Sequence, residues 1–380
     1  MADPVELTKT LVRIESCNPG KGEGELEAYI YSHLEMRGIP VRRQEVFPGR
    51  FNLISEIPGK TQMPPLVMIC HMDTVVVGDG WTRAPFAAEE TGGRIYGRGA
   101  CDMKSGLSCA LAVLEDVWGT GAVPVRTLMF IATVDEEAEM SGIRAVLRDK
   151  LIPADSLLLD MEPTSLGVAA SHKGRIWYRV TIRGITAHAS TPWKGADAIA
   201  AAAEFISVVR ALIYALPEHP EMGKNTVTFG QINGGYQPYV VPDLCAVTMD
   251  IRTVPPCTEE NVAALMRKAK ERAETAFPGT DISWDLTGCR PSVYGDGESE
   301  LCGALRASLR EVLGRETPTE LFPGYTDTAV AAVELGDRNC ASFGPGALEN
   351  AHKPDEFVEI SEIIACQKAL FKTVDRLCFR

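Results

Sequence analysis

A chain of 380 residues has room for two domains or one large one, and 45% hydrophobic with 23% charged residues is the composition of an ordinary globular protein. The formal net charge of −13 argues against nucleic acid and against an anionic membrane as partners, but it leaves open an anionic substrate held in a locally basic pocket. Eleven scattered cysteines without a C-x-x-C pair exclude a disulfide framework and a structural zinc finger, and they point to a reducing, cytoplasmic setting.

The first residues carry no basic stretch followed by an apolar one, so no signal peptide is expected. Helical spacing is predicted over residues 5–14 and 24–37. Residues 40–47 alternate as a strand does, and residues 52–57 form a second strand ended by Pro58 and Gly59. Residues 65–70 are a continuous apolar run, the mark of a strand buried on both faces. A helix is expected over 105–118, a buried strand over 126–134, a helix over 140–148 and a third buried strand over 156–159. Strands alternating with helices predict an α/β layer on a largely parallel sheet.

The pattern changes after about Gly174. Residues 175–183 alternate cleanly, as a half-exposed antiparallel strand would. A long helix over 196–216 follows; Glu204 and Arg210 within it suit a buried amphipathic helix and not a membrane span. Strands over 225–232 and 244–252, a helix over 259–276 and a strand over 282–286 complete a small α+β unit. The α/β texture returns with a helix over 298–313. The order predicts a small unit inserted into a larger one.

The chemistry gathers where strands end. His71-Met72-Asp73 follows the run 65–70, at the end of a strand where α/β proteins build their sites. A histidine there can bind metal while a carboxylate two residues on orients its ring, although the same pair also occurs on ordinary surfaces. Gly97-Arg98-Gly99-Ala100-Cys101-Asp102 places an aspartate before a helix, where it is either a ligand or a simple N-cap. Asp135-Glu136-Glu137 sets three carboxylates at the end of a buried strand. They repel one another and call for a cation, unless they form a solvated acidic loop. Glu136 and Glu137 diverge, so one can bind metal while the other takes a proton from water. Asp160-Met161-Glu162 follows the next strand, and Ala351-His352-Lys353-Pro354-Asp355 follows a glycine-rich turn. Imidazole and carboxylate donors without cysteine suit two zinc ions sharing a bridging carboxylate, with Co²⁺ or Mn²⁺ as substitutes.

HMDTV, YGRGACDMKSG, VDEE, MEPT, TAHAS, VVPD with DIR, and AHKPDE follow one another over nearly the whole chain. In these segments the sequence resembles the metallopeptidase family of acetylornithine deacetylase, succinyl-diaminopimelate desuccinylase, aminoacylase and glutamate carboxypeptidase. The resemblance implies a zinc-binding α/β domain with a mixed central sheet, residues 1–174 plus 289–380. An α+β dimerisation or lid domain, residues 175–288, would interrupt it. It implies that His71 and Glu162 hold one Zn²⁺, that Glu137 and His352 hold the other, and that Asp102 bridges. MEPT favours Glu162 over its rival Asp160. Asp73 would orient His71, and Glu136 would be the general base and acid. A cis peptide would follow Asp102. His188 would reach the partner's site in a homodimer and help hold an oxyanion, Arg252 would bind the substrate carboxylate, and Gly324 and Thr326 would belong to a substrate loop.

The expected activity is amide hydrolysis of an N-acyl amino acid. A dipeptidase or carboxypeptidase acting on a small peptide is the alternative, and a metal-free binding protein of the same fold is the reading from another class. Tyr239, where many relatives have asparagine, and Tyr325, where a second glycine is usual, depart from the family pattern near the substrate. His33 on a helix and His219 in a turn read as incidental, Cys101 as a small buried residue, and His172 stays open.

Overall fold

The computed structural model describes residues 2–380 and divides into two compact units, Met1–His172 with Tyr294–Arg380, and Lys173–Val293. The first unit runs through α1 (Pro4–Val12), α2 (Gly24–Glu35), β1 (Val41–Phe47), β2 (Arg50–Ile57), β3 (Leu66–His71), β4 (Glu89–Thr91), β5 (Arg94–Tyr96), α3 (Ser105–Gly119), β6 (Leu128–Thr133), α4 (Ser141–Arg148), β7 (Leu157–Asp160) and β8 (Val168–His172). The second unit comprises β9 (Gly174–Arg183), α5 (Ala198–Tyr214), β10 (Thr226–Gly234), β11 (Leu244–Thr253), α6 (Glu259–Ala276) and β12 (Asp281–Arg290). After β13 (Val293–Tyr294) come α7 (Glu300–Leu313), β14 (Thr319–Phe322), α8 (Asp327–Leu335), β15 (Cys340–Ser342), β16 (Phe357–Glu359) and α9 (Ile360–Val374).

The large sheet has nine strands in the order β1-β2-β6-β3-β7-β15-β8-β13, with β14 paired to β8. Strands β6, β3, β7 and β15 pair in parallel, while β2 meets both β1 and β6 in antiparallel fashion. The fold is therefore a mixed α/β one. Every residue of β3 and β6 is buried, as the continuous apolar runs require. Alternate residues divide between the two faces. Leu66, Met68 and Cys70 join one core with apolar residues of α1, α3 and α9. Val67, Ile69 and Ile131 are buried as well, and α8 packs on β3 and β7 with α4 against it. Because the parallel strands point one way, residues after His71, Thr133, Asp160 and Ser342 emerge at one edge of the sheet.

The second unit is a four-stranded antiparallel sheet in the order β10-β11-β9-β12. Along β9, Ile176, Tyr178, Val180 and Ile182 are buried while Trp177, Arg179 and Arg183 are exposed. The buried row packs into a separate core with the apolar faces of α5 and α6.

Most predicted elements recur with ends shifted by a few residues. The sequence reading left out β4, β5, β8, β14, β15 and β16, each of five residues or fewer, too short to display a period. It also left out β13, α8 and α9, although Ile363, Cys366, Leu370 and Val374 line the buried face of α9 at helical spacing. Among the described residues no helix is long and apolar enough to cross a membrane, and all eleven cysteines are free.

Candidate metal centre

His71 is the last residue of β3 and is buried. Its Nδ1 lies 2.9 Å from the main-chain oxygen of Asp73, while the Asp73 carboxylate is 3.7 Å away. A carbonyl oxygen only accepts, so Nδ1 carries a proton, and Nε2 is the ring atom left to face the Asp102 carboxylate or a metal ion. The ring is thus oriented by the main chain of Asp73. The carboxylate of that residue instead accepts from Glu136 N at 3.1 Å, Glu137 N at 3.2 Å and Asn18 Nδ2 at 3.0 Å. Asp73 therefore fixes the turn that carries both glutamates.

Asp102 lies in an irregular turn, Ala100–Lys104, ahead of α3, and its bond to Met103 is cis. Its Oδ1 is 3.1 Å from His71 Nε2 and its Oδ2 is 3.3 Å from His352 Nε2. Glu162 Oε1 stands 3.8 Å from His71 Nε2, and Glu137 Oε1 stands 3.1 Å from His352 Nε2. Two donor groups result, His71 with Asp102 and Glu162, and Asp102 with Glu137 and His352, the donor atoms in each lying within 4.8 Å of one another. Asp102 is common to both. Asp160 stays outside them: it is buried at the end of β7. Burial raises its pKa, and the hydroxyls of Ser342, Thr326 and Thr328 oppose that rise.

The electrostatics describe a place that lacks positive charge. Burial pushes the carboxyls of Glu136 and Glu162 well above the usual range, and neighbouring carboxylates add to the rise. Burial also drives Asp73 up to about 7. For Asp102 burial acts upward, but the two imidazoles at its oxygens prevail and hold it low. The hydrogen bond to Asp102, with that to Glu137, holds His352 up at about 10. Crowded buried carboxylates facing two imidazoles, with no thiolate, are the donor chemistry of zinc-like divalent cations, and the residues present fit two such ions.

Other predicted residues lie elsewhere or are engaged. Thr326 is buried, and its hydroxyl caps α8 by accepting from Ala329 N at 3.3 Å. Gly324 is half-buried, and a side chain there would strike the ring of Phe322. His188 and Arg252 belong to the second unit. His188 is exposed, with Nδ1 taken by Ser190 N at 3.2 Å and close to Ser190 Oγ at 2.8 Å. Arg252 makes two bonds to Asp250, at 2.7 and 3.0 Å.

Sequence reasoning passed over a polar lattice behind the site. Asn18 Nδ2 also donates to Asp135 Oδ1 at 3.0 Å, Asp135 N donates to Glu23 Oε1 at 3.0 Å, and Arg50 grips Glu23 at 2.6 and 2.8 Å. An asparagine before a proline reads as a turn residue, and only the fold brings it between two aspartates more than fifty residues away.

A fold with two metal-ligand groups at the strand ends of a mixed sheet defines a metal-dependent hydrolase class. The model of peptidase family M20/M25/M40 matches residues 67–376, and the chain belongs to that family. It is 30% identical over 339 residues to an acetylornithine deacetylase of Photorhabdus laumondii subsp. laumondii, covering 87% of this chain and 84% of that one. Its fold is similar to that of a tripeptidase from Staphylococcus aureus subsp. aureus Mu50, with a TM-score of 0.80 and 21% identity over 98% of this chain and 96% of that one. It is also similar to a dinuclear metal-binding M20 peptidase of Bacillus subtilis, with a TM-score of 0.75 and 18% identity over 97% and 96%.

Proposed function

We propose that this hydrolase uses two divalent cations, zinc in the first instance, to remove the acyl group from an N-acyl amino acid. The observation that carries the reading is the Asp102 carboxylate, which turns one oxygen to each of two ligand groups while Glu136 stands beside them on the same sheet edge. The deacetylase relative supports the acyl substrate. His71 and Glu162 would hold one ion and Glu137 and His352 the other, with Asp102 common to both groups. Such ions, when bound, would supply an acidified water and polarise the amide carbonyl.

The rest of the work falls to the chain itself. Glu136 accepts the water's proton and passes it to the leaving amine. Asp73 keeps Glu136 and Glu137 apart through their backbone N–H groups. Arg252, whose Nε and Nη2 face Asp250, receives the substrate carboxylate, and Gly324 and Thr326 shape the loop beside the substrate. His188 of one subunit assists at the oxyanion of the other, in a homodimer joined through the second unit. The free thiols suit a cytoplasmic setting.

The test is a panel of N-acetyl and N-succinyl amino acids, dipeptides and tripeptides, run with and without chelator. Hydrolysis of acyl amino acids that chelator abolishes and zinc restores is expected. Hydrolysis of peptides alone turns the reading to a peptidase, and chelator-insensitive turnover removes the metals from it. Glu136→Gln keeps size but lacks the base, so turnover drops by at least ~10²-fold while metal content holds. If Glu136→Gln loses metal and Glu137→Gln keeps it, the two roles are exchanged.

A further inference from the structure

The segment from His352 to Glu356 meets the bridging aspartate twice. At one end His352 Nε2 faces Asp102 Oδ2. At the other end Glu356 Oε1 accepts two consecutive backbone N–H groups, from Cys101 at 2.8 Å and from Asp102 itself at 3.1 Å. The second oxygen of Glu356 takes Arg98 Nη1 at 2.5 Å. The main chain joins in, with Gly97 N donating to Glu356 O at 2.8 Å. Between these points Asp355 holds Thr82 N at 2.9 Å, Arg83 N at 3.2 Å and Thr82 Oγ1 at 2.6 Å, so the whole segment is tied down.

Glu356 and Arg98 are each 1% exposed. A buried charge pair of this kind survives only with good geometry and further hydrogen bonds. Arg98 has them at its terminal nitrogens, with Nε left unpartnered among the described residues: Nη2 donates to Val77 O at 3.1 Å, and its guanidinium lies 5.3 Å from the ring of Trp81, whose Nε1 donates to the same Val77 oxygen at 2.8 Å. The arrangement has a local cause. Asp102 and Met103 leave helical geometry, the N–H groups of Cys101 and Asp102 find their acceptor in Glu356, and unmet buried donors are costly. An aspartate side chain has only two torsions, so its backbone placement sets where both carboxylate oxygens point.

We propose that Glu356, braced by Arg98, is a positioning residue for the bridging carboxylate. It holds the Asp102 backbone so that Oδ1 serves the His71 group and Oδ2 serves the His352 group. The inference rests on the two-metal reading above. Its consequence is that metal affinity, and not only fold stability, depends on a carboxylate that never touches the metal.

Glu356→Gln tests it. The amide keeps one acceptor oxygen, which can serve the two N–H groups or Arg98 but not both, while its NH₂ opposes whichever donor is left. Zinc affinity, read by competition with a chromophoric chelator, is expected to fall about 10–100-fold. Excess zinc should restore kcat with KM little changed. Leu305→Ala, a truncation in the same unit at a fully buried site, should lower Tm and leave zinc affinity as it was. Arg98→Lys, which keeps the charge but cannot reach both Glu356 and Val77, carries the same expectation should Glu356→Gln fail to fold. Wild-type zinc affinity in the folded variant would overturn the proposal, as would an equal loss in a Leu305→Ala protein of matched Tm. A wild-type chain that binds no zinc overturns this proposal and the two-metal reading together; a wild type that binds two zinc ions beside an unaltered variant overturns this one alone.

Discussion

His172 ends β8 in full burial, with its ring 5.7 Å from that of Phe322 and no hydrogen-bond partner for either nitrogen among the described residues. Burial pushes its pKa down to about 3, whereas an unfolded chain leaves it near 6.5. Above pH 6.5 the ring is neutral in both states and contributes no pH dependence. As pH falls below 6.5 the unfolded state takes up a proton that the folded state refuses, so stability declines until about pH 3. At pH 5 the loss comes to about 2 kcal/mol. His172→Phe keeps an apolar ring against Phe322 and removes the proton site. Urea unfolding of the two proteins from pH 7 to pH 4.5 should show a flatter decline for the variant, and parallel curves would refute this origin of acid sensitivity. The residue scale also explains why Asp73 matters: one buried carboxylate with three N–H donors fixes the turn on which Glu136 and Glu137 sit.

Among the elements, several helix starts are specified by side chains. Asp3 caps α1, Asp197 caps α5, Ser299 caps α7 and Thr326 caps α8. The fullest example opens α6, where Thr258 Oγ1 accepts from Asn261 N at 3.4 Å and Asn261 Oδ1 accepts from Thr258 N at 2.9 Å. This reciprocal box satisfies two of the donors a helix start leaves open. Thr258→Ala should cost ~1 kcal/mol, seen as a Tm lower by ~2–4 °C. Because the box lies in the second unit, metal content should be unaltered. A Tm unchanged within error would mean that water replaces the cap at no cost. Elements also show what patterns reveal. Continuous apolar runs marked β3 and β6, and alternation marked β9, because burial on two faces or one writes itself into hydrophobicity. The strands β14, β15 and β16 owe their form to neighbours in the sheet, and three or four residues hold no such record.

For the whole molecule, the homodimer is the central expectation. The second unit exposes Ile185, Trp193, Tyr236, Tyr239 and Leu244, large apolar side chains of the kind a partner surface would cover. His188 lies in the same unit and is exposed. If it serves the partner's site, His188→Ala and Glu136→Gln homodimers should each lose most turnover while binding metal. Mixed dimers would then contain one site with both residues intact, so subunit exchange should return up to about a quarter of wild-type activity in an equal mixture, since half the dimers are mixed and each holds one complete site of two. Exchange verified by mass without recovery would defeat the sharing, and a fully active monomer would end it.

The sequence by itself determined the α/β character of the chain, the change of texture near Gly174 and the residue types of the metal centre. Those features are local: hydrophobic period follows burial, and histidine, aspartate and glutamate stand beside the strands that present them. The resemblance in HMDTV, MEPT and AHKPDE then favoured Glu162 over Asp160 as a candidate ligand, and Glu162 is the one of the two that falls in a donor group. Only the tertiary structure decided that Asp73 holds Glu136 and Glu137 through their backbone, that Asn18 joins Asp73 to Asp135, and that Glu356 and Arg98 brace Asp102. These contacts join residues up to 258 positions apart. A donor and an acceptor that distant leave no periodic trace in the chain, because their meeting depends on the path of the backbone between them and not on the residues themselves.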